Sequence, residues 1–177
     1  MNEELIKKHF GDKDGFSRVS NTLIRLYTLL DGFDVTTAGL YAYLRSWRHS
    51  KDPSSHMYNV VWLSREYMYE QTGLGRRAFN SRLAALEKYG LVSVIKSKTI
   101  ANKDYFIIHD PLDRDEFLQR FPEVAAKFIE TAAEIEQKNA EFRRQQLAKE
   151  IEEARKVHAE EWNVQNVQSG VYKTHSP

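Results

Sequence analysis

The stretch from Gln71 to Val94, QTGLGRRAFNSRLAALEKYGLVSV, constrains this chain more than any other. Gly73 and Gly75 flank a single leucine, so the helical patterns on either side must be joined by a turn of about three to four residues. The second pattern carries Phe79, Leu83 and Leu86 at i, i+4 and i+7, the inner face of a helix that runs to about Tyr89 and stops at Gly90. Arg76 and Arg77 open that helix with no acidic residue beside them. A helix N-terminus carries roughly half a positive charge, and a cation there costs about 0.3–1 kcal/mol. The placement becomes favourable once an external anion arrives.

The flanking segments complete a pattern. Thr36 or Thr37 is read as the cap of a helix with Leu40, Tyr41, Leu44 and Trp47 on one stripe, followed by the polar loop RSWRHSKDPSSHM. NVVWLS (Asn59–Ser64) reads as a short strand, and Ser64 caps the helix REYMYEQTG. After Gly90, LVSVIKSK (Leu91–Lys98) alternates as a strand, TIANKD is a hairpin tip and YFIIHD (Tyr105–Asp110) returns. Residues 36–110 therefore order as a helix–turn–helix followed by a β-hairpin, which is a winged helix. The expected fold class is mainly α with a small β-hairpin wing (α+β), followed by a long C-terminal helix.

Residues 1–35 read as an N-terminal helical extension. A short helix over residues 2–10 ends at Gly11 and the turn-like Asp12-Lys13-Asp14-Gly15. Ser20 then caps a helix with Leu23, Leu26, Tyr27 and Leu30 on one face, stopped by Gly32. Residues 111–162 read as a helical arm. Pro111 breaks the chain, Asp113 and Glu116 form a capping box, and Pro122 opens a helix without Gly or Pro to Trp162. Phe128, Ile135 and Phe142 fit one coiled-coil seam position and Ala125, Ala132 and Asn139 the other. The register then slips to Leu147, Ile151 and Ala154. Glu134–Lys138, Lys149–Glu153 and Glu152–Lys156 are spaced as charge pairs on one helix face. The seam fits a homodimer joint, and the same pattern fits a helix packed back on its own domain. Residues 163–177 are polar and read as a disordered tail.

The overall charge of +1 hides a division. Residues 36–109 hold 11 basic and 5 acidic side chains, net +6, whereas residues 110–162 hold 9 and 14, net −5. A basic middle of this kind points to a polyanionic partner. Cysteine is absent, which removes disulfides and thiolate metal sites. The N-terminal Met-Asn-Glu-Glu is not the start of a signal peptide, and no apolar run spans a bilayer, so the expected location is the cytoplasm, in association with nucleoid or plasmid. None of the six histidines pairs at metal-ligand spacing. No phosphate-loop or nucleophile-elbow motif is present, so neither enzyme activity nor a cofactor is expected.

In a helix–turn–helix the second helix enters the major groove. With Phe79, Leu83 and Leu86 turned inward, Arg76, Arg77, Asn80 and Ser81 face outward. Arginine reads guanine and asparagine reads adenine. Arg82 and Lys88 are assigned to the DNA backbone, with Lys96, Lys98 and Lys103 around the wing. Trp47, Trp62, Tyr67 and Tyr69 suggest base stacking, but each lies in an expected core element, so packing is the expectation for all four.

TGLGRRAFNSRLAALEKYGLVSVIKS resembles the helix–turn–helix segment of bacterial winged-helix proteins, with its T-G-L opening and Leu-Glu-x-x-Gly-Leu close. Over roughly residues 16–110 the chain is similar to the N-terminal domain of RepA-type plasmid replication initiators and of DnaD-type primosome proteins. Gly75 departs from the Ser or Thr usual at that cap. The resemblance implies a double-stranded DNA partner and a role in replication initiation or transcriptional regulation of a bacterial, plasmid or phage element. The arm, or the N-terminal helices, would join a homodimer. The alternative is a non-enzymatic adaptor of primosome or helicase-loader type, binding proteins through winged helix and arm.

Overall fold

The structure, a computed structural model, describes residues 2–11, 17–101 and 103–170, with side chains to residue 159. It is mainly helical with a small three-stranded antiparallel sheet and a long C-terminal helix. In chain order the elements are α1 (Glu3–Phe10), α2 (Asn21–Arg25), α3 (Val35–Ser46), β1 (Val60–Val61), α4 (Arg65–Thr72), α5 (Arg76–Lys88), β2 (Val92–Lys96), β3 (Asp104–Ile108), α6 (Arg114–Arg120) and α7 (Pro122–Gly170). Contacts divide the chain into two units, Met1–Ala126 and Lys127–Pro177.

The first unit is built on one core. Leu23, Tyr27, Leu30 and Phe33 join Leu40, Tyr41 and Leu44 of α3, Met68 of α4, Phe79, Leu83 and Leu86 of α5, and Val61, Val92, Phe106 and Ile108 of the sheet. Each large side chain so buried contributes about 1.5–3 kcal/mol. Residues expected to form an extension thus supply part of the core. So does Phe117 of α6, whose ring lies 5.1 Å from that of Tyr27.

Local chemistry sets most boundaries. Ser20 and Ser64 cap α2 and α4 through their hydroxyls, and Asp113 with Glu116 forms the expected capping box of α6. The cap of α3 differs from expectation: it is Asp34, not Thr36 or Thr37. Asp34 Oδ1 accepts from the Thr37 amide at 2.6 Å, and the Asp34 amide donates back to the Thr37 hydroxyl. The helix expected through Leu30 stops at Arg25 and tightens into a 3₁₀ turn over Tyr27–Leu29.

The strands are shorter than expected, and β3 is central, in the order β1-β3-β2. Val61 pairs with Phe106, and Ile95 with Tyr105. Asn102 of the hairpin tip and the 12–15 turn lie outside the described residues.

In the second unit α7 continues to Gly170, so residues 163–170, expected as tail, are helical. Residues 163–169 contain no Gly or Pro, the two residues that most disfavour a helix interior. Residues 171–177 lie outside the described residues. Phe128, Ile135, Phe142, Leu147 and Ile151 are all exposed. Of the three expected charge pairs, Glu152–Lys156 closes, at 2.8 Å. Among the described residues no helix is long and apolar enough to cross a membrane.

Candidate nucleic-acid interface

The site is set by the joint between α4 and α5. Gly73 closes α4 in the left-handed region at φ 67°, a conformation that residues with a Cβ rarely adopt. The Thr72 hydroxyl donates to the Met68 carbonyl at 2.6 Å and accepts from the Leu74 amide at 3.3 Å, which holds the turn. Gly75 then stands at the N-cap of α5 with no side-chain cap, and the first turn of α5 contains no acidic residue. The first amides of the helix therefore lack a side-chain acceptor, and Arg76 and Arg77 follow at once.

Both arginines are exposed. Neither has an ion pair or side-chain hydrogen bond among the described residues. They line a shallow, open depression of about 590 Å³ with Gly75, Ala78, Ser81 and Arg82. On the inner side of the same helix Phe79 and Leu86 are fully buried. Burial thus fixes the helix's rotation, and the rotation puts Arg76, Arg77 and Ser81 outside.

The other expected contact residues have partners within the chain. Asn80 Oδ1 accepts a 2.7 Å hydrogen bond from the Arg65 guanidinium. Arginine only donates, so this contact fixes the amide with its NH₂ pointing away from Arg65. Arg65 also donates to Asp104 Oδ2 at 2.7 Å, joining the first residue of α4 to α5 and to the start of β3. Burial pulls the pKa of Arg65 down, but the hydrogen bond and charge of Asp104, together with Tyr69, outweigh it and the net shift is upward.

Arg82, expected at the DNA backbone, is mostly covered. It donates to the Ala78 carbonyl at 3.2 Å and lies 3.3 Å from Asp34, so it ties α5 to the cap of α3. Lys88 sits at the far end of α5, about 18 Å from the arginine pair at 1.5 Å per residue. Its ammonium pairs with Asp31 at 3.6 Å and lies 5.0 Å from the Tyr89 ring centroid. Lys96 and Lys98 are exposed on the hairpin, and Lys103 lies against Trp62.

The structure thus brings Arg76, Arg77 and Ser81 together on one open surface. It commits Asn80, Arg82 and Lys88 at least partly to internal contacts. Arg65 went unrecognised in the sequence: it too is a cation in a helix's first turn, but Glu66 beside it removes the lack of an acidic neighbour that singled out Arg76 and Arg77.

The chain matches no family model, no curated protein and no solved structure. The geometry therefore carries the functional argument.

Trp47 and Tyr69 pack against the core as expected, and Tyr67 is half-buried, with its hydroxyl 3.0 Å from His9 Nδ1. Trp62 is the exception: 47 % of it is exposed, which overturns the packing expectation for that residue. Trp62 follows directly on the last residue of β1. Val61 points into the core, so the next residue points out. Among the described residues no group of three or more His, Asp or Glu is placed to hold a metal ion.

Proposed function

We propose that this protein is a winged-helix, sequence-specific binder of double-stranded DNA, acting in replication initiation or transcriptional regulation of a bacterial, plasmid or phage element. The observation that carries the reading is the exposed pair Arg76 and Arg77 at an uncapped helix start, with no carboxylate to answer them among the described residues. In this reading α5 is the recognition helix and the β2–β3 hairpin is the wing. Arg76 and Arg77 meet base edges or phosphates at the N-terminal end of α5, where the helix field adds to their attraction for an anion. Ser81 lies one turn further along the same surface, and Lys96 and Lys98 reach flanking phosphates from the wing. Asn80 contributes its outward NH₂ and contacts a base acceptor, since its oxygen is held by Arg65.

The test is a selection of bound sites from a random duplex library, followed by affinity measurements on the enriched site. Arg76→Ala and Arg77→Ala should each weaken specific binding by about 1–3 kcal/mol. Unchanged affinity in both variants removes α5 as the reader.

The exposed apolar positions of α7 favour a protein contact as well. Phe128, Ile135 and Phe142 recur every seven residues and are each at least half exposed. A second copy of the chain, paired through this seam, would cover them and present two recognition helices to a two-fold site. The adaptor reading gives the same seam to a different protein. Salt separates the two, because DNA affinity falls with a slope of about −0.9 per phosphate neutralised. A protein that DNA resin fails to retain even at low salt is an adaptor.

A further inference from the structure

Beside α5, a strip of aromatic and cationic side chains runs onto the outer face of the sheet. The Trp62 ring packs edge-on against Tyr105, with centroids 5.3 Å apart at 72°. Tyr105 stands opposite Ile95 in the register, and Ile95 is 46 % exposed. The Lys103 ammonium lies 5.6 Å from the Trp62 ring centroid. These contacts include no carboxylate: Asp104, next in the chain, falls on the other face of β3 by strand alternation, where Arg65 pairs with it. Arg65 in turn holds Asn80 of α5. The two sets of contacts adjoin only through the chain, where Lys103 precedes Asp104; Lys103 has no ion pair among the described residues, so the Trp62 face keeps a positive balance.

We infer that this strip is a stacking platform for an unpaired nucleobase. The inference rests on the DNA-binding reading above and adds a second kind of contact to it. A base stacks on an indole through its π-face and needs no hydrogen-bond code, so the platform is tolerant of sequence. The charge fits as well. An incoming base displaces Lys103 from the ring, and the ammonium then meets the phosphate attached to that base. This exchanges a weak, exposed cation–π contact for a charge-assisted one. Bases inside a closed duplex offer only their edges to a protein, so the platform acts only where strands have separated or end. The protein then holds duplex through α5 and an adjoining single strand through Trp62.

The experiment uses the full chain and two DNAs at low salt, a mixed-sequence blunt duplex and the same duplex with a single-stranded tail, read by fluorescence anisotropy. The wild type should bind the tailed DNA about tenfold more tightly than the blunt one. Trp62→Ala should erase that ratio and leave blunt-duplex affinity unchanged, while Trp62→Phe keeps most of it and Lys103→Ala reduces it. Arg76→Ala with Arg77→Ala should weaken both DNAs alike. Equal wild-type affinity for the two DNAs overturns the platform and leaves the recognition-helix reading standing. So does a Trp62→Ala effect of equal size on both. Conversion of a dimer to a monomer by Trp62→Ala would make the strip a protein contact and overturn the proposal. Absence of wild-type binding to either DNA would remove the DNA-binding reading and the platform with it.

Discussion

Helices α4 and α5 stand on either side of one turn, and both open on arginine. Their first turns are resolved in opposite ways. Arg65 is held by a carboxylate of β3 and by Asn80 of α5, each at 2.7 Å, and its side chain is 31 % exposed. Arg76 and Arg77 are exposed and have no such partner among the described residues. In α4 the helix's aversion to a cation is answered within the fold. In α5 it is left for something outside. A cation in a first turn is thus ambiguous by itself, and what separates a structural arginine from one free to bind is whether a distant carboxylate reaches it.

The largest expected effect tests the open side of this comparison. Replacing both Arg76 and Arg77 with alanine should cost specific DNA binding more than any other pair on the surface, at about 1–3 kcal/mol for each arginine. Arg65→Ala should weaken binding less, because its guanidinium is already spent on Asp104 and Asn80. Titration of the enriched site with the three variants gives the order. If Arg65→Ala proves the most damaging, the comparison is reversed.

Next in size is the closed side. Arg65→Ala leaves Asp104, whose side chain is only 17 % exposed, without its counter-charge, and Asn80 Oδ1 without a donor. Destabilisation of about 1–3 kcal/mol is expected, read as a lower urea midpoint at unchanged slope. Arg65→Lys should recover only part of it, since an ammonium lacks the planar fork that serves two acceptors at once. A midpoint unchanged in both variants would mean that Arg65 is not structural.

Smaller and opposite in sign is the effect of the α5 arginines on the free protein. Arg76→Ala and Arg77→Ala should each raise stability by about 0.3–1 kcal/mol, because each removes a cation from a positive helix end. The gain should shrink as salt rises. Loss of binding together with a gain in stability is the signature of residues kept for function. A loss of stability in both would mean that the two side chains make contacts important to the fold.

How much of this was legible in the sequence follows from which interactions are local. The α5 core face came out correctly because Phe79, Leu83 and Leu86 obey one period between two glycine stops. The cap of α3 did not. Asp34, Thr36 and Thr37 can all cap, and the actual box uses Asp34 and Thr37 together, so composition alone could not separate them. Trp62 was misplaced because Val60-Val61-Trp62-Leu63 is apolar throughout and has no alternation to assign faces. Only the pairing of Val61 with Phe106 of β3, more than forty residues away, shows which face of the strand is buried, and Trp62 follows on the other. The partners of Asn80 and Arg82 were hidden for the same reason: Arg65 and Asp34 lie 15 and 48 residues away in the chain.

The third arginine of α5 gives the smallest effect and the one with a pH signature. Burial pushes the Asp34 carboxyl up, but hydrogen bonds from the Thr37 hydroxyl and amide, together with Arg82, outweigh it and hold it below its ordinary value of 3.8. A carboxyl depressed in the folded state adds stability above its unfolded pKa, and that stability disappears as pH falls through the folded value. The Asp34 contribution should therefore be complete at neutral pH, begin to fall as pH nears the ordinary carboxyl value of 3.8, and be lost as pH drops through the lower folded value. Asp34 is largely exposed, so the effect is small. Asp34→Asn should flatten the thermal midpoint against pH in that acid window, relative to wild type. Arg76→Ala and Arg77→Ala should shift the whole curve without changing its shape, since the first turn of α5 has no carboxylate to titrate. If they reshape it as Asp34→Asn does, the arginine pair is engaged by an acid of the chain after all, and α5 does not differ from α4.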